Sequence, residues 1–229
     1  MVIEYLSINH LDLTEQVYRF LKERILRRDI KPGEKISVED VARGLKVSRT
    51  PVVNALQMLK NDGLVDIVPR RGTFVTELTA RDVADLFDVR LLLELHAADM
   101  VFKKGRTAEL LAEFDVLLAQ MKEAISEEEY MDYESFIDKD RNLHQALIKY
   151  LDNQRLINIY SELNVHMQVA RAHYLATVEN ALEAHKEHEA LLSALREKDQ
   201  AAFKKAITDH IENVNRRIQM LLEERGGKL

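Results

Sequence analysis

The stretch that decides the fold of the amino-terminal part is Lys46 to Val75, which reads KVSRTPVVNALQMLKNDGLVDIVPRRGTFV. Ser48 can cap the start of a helix here, and Pro51 lies in the first turn, where a missing N–H costs little. The apolar residues that follow have the i, i+3, i+4, i+7 spacing of one buried face: Val52, Ala55, Leu56 and Leu59. The pattern predicts a short amphipathic helix.

A cationic hairpin is predicted directly after this helix. Residues 61–63 (Asn-Asp-Gly) are typical of a helix end. Two short β-prone runs follow, at 64–68 and 73–76, and between them lies a turn with two adjacent positive charges, Arg70 and Arg71. Four residues occupy the helix face opposite the apolar one: Arg49, Val53, Asn54 and Gln57. The sequence therefore presents a free helix face and a basic turn, which are the two parts needed to contact a DNA groove.

Two more helices are predicted upstream. The first spans about 13–28, with five residues inward: Leu13, Val17, Phe20, Leu21 and Ile25. The second spans 37–45, with four residues inward: Val38, Val41, Ala42 and Leu45. Only residues 46–47 separate it from the next helix, as a helix-turn-helix requires.

Proline and glycine are scarce in the rest of the chain. All three prolines lie before residue 70, and Gly105 is the only glycine between Gly72 and Gly226. Because Pro and Gly are the strongest breakers of regular structure, their scarcity predicts long helices. We expect about six, near 81–104, 107–126, 130–150, 153–175, 178–197 and 199–224, in a packed bundle. Thr79 and Asp82 resemble a capping box at the start of the first, so we place the domains at residues 1–78 and 79–229.

Composition and charge narrow the functional class. The 229 residues are 46% hydrophobic, which excludes general disorder, and the net charge of −6 is unevenly spread. Residues 1–78 hold 13 Lys/Arg and 11 Asp/Glu (+2), whereas residues 79–229 hold 20 and 28 (−8). Since local charge decides phosphate contact, the acidic second part does not exclude DNA binding by the first.

The chain contains no cysteine, so disulfides, thiolate metal sites and thiol nucleophiles are excluded. No apolar run is long enough to cross a bilayer, and the amino-terminal residues lack the pattern of a signal peptide. We therefore expect a cytoplasmic protein that has no membrane partner.

The motifs VSRTPV, NDGLV and RRGTFV resemble the winged helix-turn-helix of the GntR family of bacterial transcription regulators, over about residues 13–75. The resemblance implies a double-stranded DNA operator as partner. It implies that Ser48, Arg49 and Thr50 open the recognition helix, with Arg49 reading a base or a phosphate. The wing would consist of four residues: Arg70, Arg71, Gly72 and Thr73.

Two departures from the family's pattern bear on the operator. The family often has Arg-Glu where this chain has Val53-Asn54, and Ser-Glu-Arg where it has residues 37–39 (Ser-Val-Glu). Val53 could contact a thymine methyl group and Asn54 could pair with adenine. We therefore expect an operator that differs from the family's common one.

A metal-binding pattern occurs in the helical part. Asp140 and His144 lie four residues apart, on one face of a predicted helix. His188 and His210 lie on the inner stripes of the last two helices, and a divalent cation would neutralise the buried aspartate and bind the imidazoles. The alternative is a set of separate core histidines, each bonded to a carbonyl. Spacing does not choose the ligands, because other histidines also fall on apolar stripes or close by: His96, His166, His173 and His185.

The segments DRNLHQALI and KEHEALLSALREKDQAAFKKAITDHI resemble the FCD domain, the ligand-binding domain of the FadR subfamily, over about residues 81–222. The resemblance implies Asp140, His144, His188 and His210 as metal ligands and a small carboxylate metabolite as effector. It places Arg90 near the cavity as an effector-binding residue. The alternative for Arg90 is a surface ion pair with Glu94 at i+4.

These ligand types suit Zn, Ni, Co or Mn, and we take zinc as the first expectation. The sequence lacks the di-iron, zincin, hydrolase and phosphate-loop motifs of enzymes. It favours a homodimeric transcription regulator over an enzyme, with repression as the expected action and activation left open. Two other possibilities are a DNA binder without an effector and a closed tetrahedral zinc that only braces the bundle.

Overall fold

The computed structural model describes residues 11–27, 29–125, 132–174 and 177–227. A few side chains within these ranges, chiefly between residues 164 and 174, are not described. The chain divides into two compact units, Met1–Glu77 and Leu78–Leu229. None of the helices within the described ranges combines the length and apolar character that a membrane crossing needs.

The first unit is a winged helix-turn-helix. Its elements are α1 (Leu11–Leu26), β1 (Lys35–Ile36), α2 (Val38–Leu45), α3 (Arg49–Asn61), β2 (Val65–Val68) and β3 (Gly72–Val75). The three strands form an antiparallel sheet in the order β1-β3-β2. Strand β1 was not predicted, because two residues are too short to show an alternating pattern.

The apolar stripe of α3 forms the centre of this unit's core. All four predicted residues are buried, with exposed fractions of 2% or less: Val52, Ala55, Leu56 and Leu59. Helix α1 packs on α3 through Val17, Leu21 and Ile25, which are also buried. The inward prediction was wrong for Leu13 and Phe20, which are exposed, because the described elements cover α1 along one narrow stripe. In α2, Ala42 is buried, and the other three predicted residues are half-buried.

The second unit is an all-helical bundle, described over α4 (Ala80–Lys103), α5 (Thr107–Ala124), α6 (Tyr133–Lys149), α7 (Gln154–Tyr174), α8 (Val178–Arg196) and α9 (Gln200–Glu224). These bounds follow the six predicted helices closely. The predicted ends at Arg28, Ser126, Tyr130 and Leu175 lie outside the described residues.

Local signals fix several helix ends. At α4 the Thr79 side chain accepts a hydrogen bond from the backbone N–H of Asp82, and the Asp82 carboxylate accepts one from the backbone N–H of Thr79 at 2.9 Å. This is the predicted capping box, with Asp in the place of the usual Glu. Asp132, Thr177 and Asp199 cap α6, α8 and α9 in the same way, each accepting from an N–H three residues on.

Candidate metal centre and nucleic-acid interface

The four predicted ligand side chains come together in the interior of the helical unit. One potential ligand atom from each of Asp140, His144, His188 and His210 lies within 4.8 Å of all the others, and all four residues are buried. The Oδ1 atom of Asp140 is 3.5 Å from Nε2 of His188 and 3.9 Å from Nε2 of His144. The imidazole ring centroids are 4.6 to 5.4 Å apart.

Helix periodicity produces this convergence. Asp140 and His144 are one turn apart on α6, so their side chains point in the same direction. His188 belongs to the buried stripe of α8 that includes Ala184 and Leu191, and His210 belongs to the stripe of α9 that includes Ile207 and Val214. Where these stripes meet, histidine stands in place of an aliphatic residue.

Two carboxylates outside this group orient two of the imidazoles. Nδ1 of His144 lies 3.0 Å from Oε2 of Glu94, and Nδ1 of His210 lies 2.8 Å from Oε2 of Glu187. Because an ionised carboxylate only accepts, each imidazole donates its Nδ1–H, and the lone pair of its Nε2 is left for another partner. Carboxylates that fix the tautomer of a metal-binding histidine in this way are typical of protein metal sites.

Glu94 is the centre of a buried polar network. It accepts hydrogen bonds from Nε of Arg90 at 2.8 Å and from the hydroxyl of Tyr160 at 2.7 Å, in addition to the one from His144. The pairing of Arg90 with Glu94 was predicted, but its surface position was wrong, since the two side chains are only 2% and 1% exposed. Nη2 of Arg90 is buried and has no hydrogen-bond partner among the described residues.

The electrostatics keep Glu94 and Arg90 ionised and lower the pKa of two of the imidazoles. Burial by itself would raise the pKa of the Glu94 carboxyl, but contacts with His144 and Arg90 hold that pKa well below its usual value. Burial would lower the pKa of Arg90, and Glu94 raises it instead, so the guanidinium stays charged. Burial lowers the pKa of His144 to about 4, and burial with repulsion from His210 lowers the pKa of His188 well below its usual value.

These properties fit a divalent metal. Nε2 of His144 and both ring nitrogens of His188 are buried and have no hydrogen-bond partner in the described structure. An unpaired buried polar atom is costly, and a neutral imidazole can satisfy its free nitrogen by ligating a cation. Asp140 supplies the negative charge, so the set of three nitrogens and one carboxylate suits zinc and the neighbouring transition metals.

The other histidines whose side chains are described do not join this group. His185, the rival suggested by spacing, is buried but lies 3.6 Å from Glu189 through its Nε2. His96 was expected on an apolar stripe, and this was wrong, because it is exposed on α4. The side chains of His166 and His173 lie outside the described residues.

The predicted DNA-reading face of α3 is exposed in the described structure. All four of its residues are exposed: Arg49, Val53, Asn54 and Gln57. Ser48 and Thr50 are exposed beside them, and Ser48 occupies the N-cap position. The expected capping bond was wrong, since the Ser48 side chain makes none, so its hydroxyl is left for an outside partner. Nη1 of Arg49 lies 3.3 Å from the Glu39 carboxylate, in an exposed ion pair between α3 and α2.

The wing lies between β2 and β3. Arg70 and Arg71 are exposed on its turn, Arg70 with a positive φ of 63° and Gly72 with a φ of 122°. Thr73 belongs to the wing by position, but its side chain is buried at 7% exposure, so it packs inside the unit. Lys35 is a third cation here: its Cε atom would lie 2.7 Å from a Cβ at position 72, and its Nζ is 6.0 Å from the ring centre of Phe74.

Sequence reasoning missed the residues that support the site. No sequence pattern indicated Glu94 or Glu187, because both contacts are distant in the chain. Glu94 is 50 residues from His144, and Glu187 is 23 residues from His210. Tyr160 reaches Glu94 across 66 residues. Lys35 is placed at the wing by the unpredicted strand β1, which pairs it with Phe74.

Two known families match different parts of the chain. Residues 13–75 match the family described as bacterial regulatory proteins, gntR family, and residues 85–213 match the FCD domain. The chain is 27% identical to the uncharacterised HTH-type transcriptional regulator YdhC of Bacillus subtilis, over 91% of this chain and 92% of that one. It is 26% identical to the HTH-type transcriptional repressor RspR of Escherichia coli, over 93% and 91% of the two chains.

A solved structure also shares the architecture. The Escherichia coli protein McbR/YncC superposes with a TM-score of 0.63 at 25% identity, covering 95% of this chain and all of that one. The two matched families account for the winged helix-turn-helix and for most of the helical unit, respectively. The chain therefore belongs to the GntR family of bacterial regulatory proteins and is a DNA-binding transcription regulator with a carboxy-terminal FCD domain.

Proposed function

We propose that this regulator binds a divalent transition metal, zinc in the first instance, through Asp140, His144, His188 and His210. A small carboxylate metabolite that binds at this metal would then change the affinity of the protein for its operator. The observation that supports the proposal is the group of partnerless imidazole nitrogens around a buried aspartate, with carboxylates behind two of the rings.

The charge balance of the site favours an anionic effector. Arg90 and Glu94 cancel each other, and Glu187 is paired with Arg217. A divalent cation beside Asp140 then leaves a buried surplus of one positive charge, which is costly without a counter-ion. A carboxylate would supply that charge at a coordination position not filled by protein. Its second oxygen could accept from the partnerless Nη2 of Arg90, the residue expected to bind the effector.

Helix α4 is the element through which effector binding at the metal would affect the DNA-binding unit. It begins at Ala80, directly after the boundary between the two units, and carries Arg90 and Glu94 further along. Ten residues of helix correspond to about 15 Å, so one rigid element extends from the boundary to the network. Coupling of about 1–3 kcal/mol, the usual allosteric scale, would be enough for control.

On the DNA side we propose a homodimer whose two recognition helices and wings occupy the half-sites of a near-palindrome. Ser48, Arg49, Thr50 and Asn54 would act from α3, and a second group from the wing: Arg70, Arg71, Gly72 and, through its backbone, Thr73. The relative RspR is named as a repressor, and we propose repression here too. The place of action would be the cytoplasm, with the chromosome.

A closed structural metal is a second candidate, because four protein ligands already complete a tetrahedron. Such a metal would brace α6, α8 and α9 without binding an effector. Cobalt(II) distinguishes the two cases, since its visible spectrum changes when a carboxylate enters the coordination sphere and stays constant when the sphere is closed.

The proposal is tested by metal analysis of the purified full-length protein and of the double variant His144→Ala/His210→Ala, with His185→Ala as the matched control for loss of a buried imidazole. An operator is first selected from random DNA with the wild-type protein, and binding is then measured against a panel of mono-, di- and tricarboxylates. We expect the double variant to lose both metal and carboxylate response and the control to keep both. A response that survives loss of the metal would contradict the coupling.

A further inference from the structure

A groove of about 670 Å³ lies between α8 and α9, on the side of the helical unit where several of their residues are exposed. Glu187, His210 and Asn213 line it together with small side chains from both helices. His210 is itself only 2% exposed, so it lies at the bottom of the groove. The groove therefore ends at one of the four proposed metal ligands.

Three groups at the centre are closed to solvent, whereas Asp140 is 4% exposed. His188 is fully buried, and both His144 and its partner Glu94 are 1% exposed. The Glu187 side chain, by contrast, is 16% exposed. A second cleft, of about 420 Å³ and lined from α5, α6 and α7, reaches Tyr160 but none of the four ligands.

We infer that the groove between α8 and α9 is the route by which the metal reaches and leaves the centre, with Glu187 as the carboxylate that receives it. This inference rests on the proposed metal site and adds a path to it. A hydrated dication must exchange water for protein ligands, and carboxylate oxygens suit this exchange. Glu187 is hydrogen-bonded to Nδ1 of His210, so an ion held at Glu187 is separated by one imidazole ring from the Nε2 atom proposed to bind the metal.

The charges around Glu187 are arranged to hold it in place. Its Oε1 accepts from Nδ2 of Asn213 at 3.0 Å and is paired with Arg217, while its Oε2 faces His210. The carboxylate is thus fixed at the inner end of the groove.

Small side chains keep the groove open at this point. Ala190 lies three residues after Glu187 on α8, and Ala206 lies four residues before His210 on α9, so each is one helical turn from the pair. Ala190 is exposed and Ala206 half-buried. Leucine at these positions would narrow the groove without entering the core, and leucine is nearly as good a helix former as alanine.

The test uses cobalt(II) as the probe and the full-length protein. Stopped-flow absorbance gives the rate of uptake by the metal-free protein, and an excess of chelator gives the rate of release. The variant is Ala190→Leu/Ala206→Leu, and the matched control is Ser161→Leu, which places the same side chain in the cleft that reaches no ligand. Glu187→Gln tests the receiving carboxylate separately.

We expect the double leucine variant to slow uptake and release by the same factor, about tenfold for each ~1.4 kcal/mol added to the barrier, and to leave the dissociation constant unchanged. The control should keep both wild-type rates, and Glu187→Gln should slow uptake as well as weaken binding. Unchanged rates in the leucine variant, with cobalt still bound, would overturn the route and leave the metal site standing. A wild-type protein that binds no cobalt, or binds it equally well without His144, would overturn both.

Discussion

The buried ion pair of Arg90 and Glu94 should be far more important to stability than any exposed pair of the same chain. Replacing Glu94 by glutamine keeps the shape of the side chain but removes its charge, which leaves the Arg90 guanidinium buried with no matching anion in contact. Two unit charges about 4 Å apart interact by about 4 kcal/mol at an effective dielectric constant of about 20. Loss of one partner of a buried pair costs about 3–5 kcal/mol in measured cases. Both values lead us to expect a loss of about 3 kcal/mol or more.

The assay is urea unfolding of the metal-free full-length protein, followed by circular dichroism. With a slope of about 2 kcal/mol per molar urea, a loss of 3 kcal/mol moves the midpoint of the affected transition down by about 1.5 M. Asp85→Asn is the matched control, because Asp85 also pairs with an arginine at i−4 (Arg81), but the two side chains are 70% and 90% exposed. We expect the control to change stability by less than about 1 kcal/mol.

A second variant separates the charge from the shape. In Arg90→Met/Glu94→Gln neither charge remains, so the double variant should be more stable than the sum of the two single losses predicts. The reasoning fails if Glu94→Gln costs no more than Asp85→Asn, or if the losses of Arg90 and Glu94 simply add. In either case the buried network would not be held by its charges.

Three further predictions test other parts of the molecule. Arg49→Ala should weaken specific operator binding by about 1–3 kcal/mol in a gel-shift titration, the range for a good base contact, and unchanged affinity would remove Arg49 from the reading set. Glu187→Gln should weaken metal binding about 10–100-fold in a chelator competition, because His210 loses the partner that fixes its tautomer; an equal dissociation constant would contradict that role. Thr79→Ala should cost about 1 kcal/mol in thermal unfolding, since it removes the capping bond to Asp82, and an unchanged melting temperature would show that the cap contributes nothing.

The buried faces of helices and the positions of helix ends could be predicted from the sequence. The buried face of α3 and the limits of the six carboxy-terminal helices follow from apolar spacing and from the positions of Gly, Pro and capping residues, which are local signals. The prediction was wrong where burial depends on a neighbouring element. Leu13 and Phe20 have helical spacing relative to the core residues of α1, but nothing in the described unit covers them fully.

The grouping of the four candidate residues could be predicted from the sequence, and the side chains around them could not. Asp140 and His144 share a helix face by local geometry, and family resemblance selected His188 over His185. The partners Glu94 and Glu187 could not be found in this way, since a glutamate on a helix gives the same pattern whether it faces water or an imidazole. Only the packing of α4 on α6 and of α8 on α9 makes these contacts.

This packing bears on how an effector could act under the proposed function. A ligand shifts an equilibrium only if it binds two arrangements of the protein with different strength. Arg90 bonds Glu94 through Nε and leaves Nη2 without a partner, and Glu94 in turn holds His144. A carboxylate at the metal that also bonds Nη2 would compete with Glu94 for the guanidinium and weaken the hold of Glu94 on the ligand histidine. Because Arg90 and Glu94 both belong to α4, whereas the four ligands belong to α6, α8 and α9, the strain from such competition would fall on α4, the helix that begins at the boundary with the DNA-binding unit.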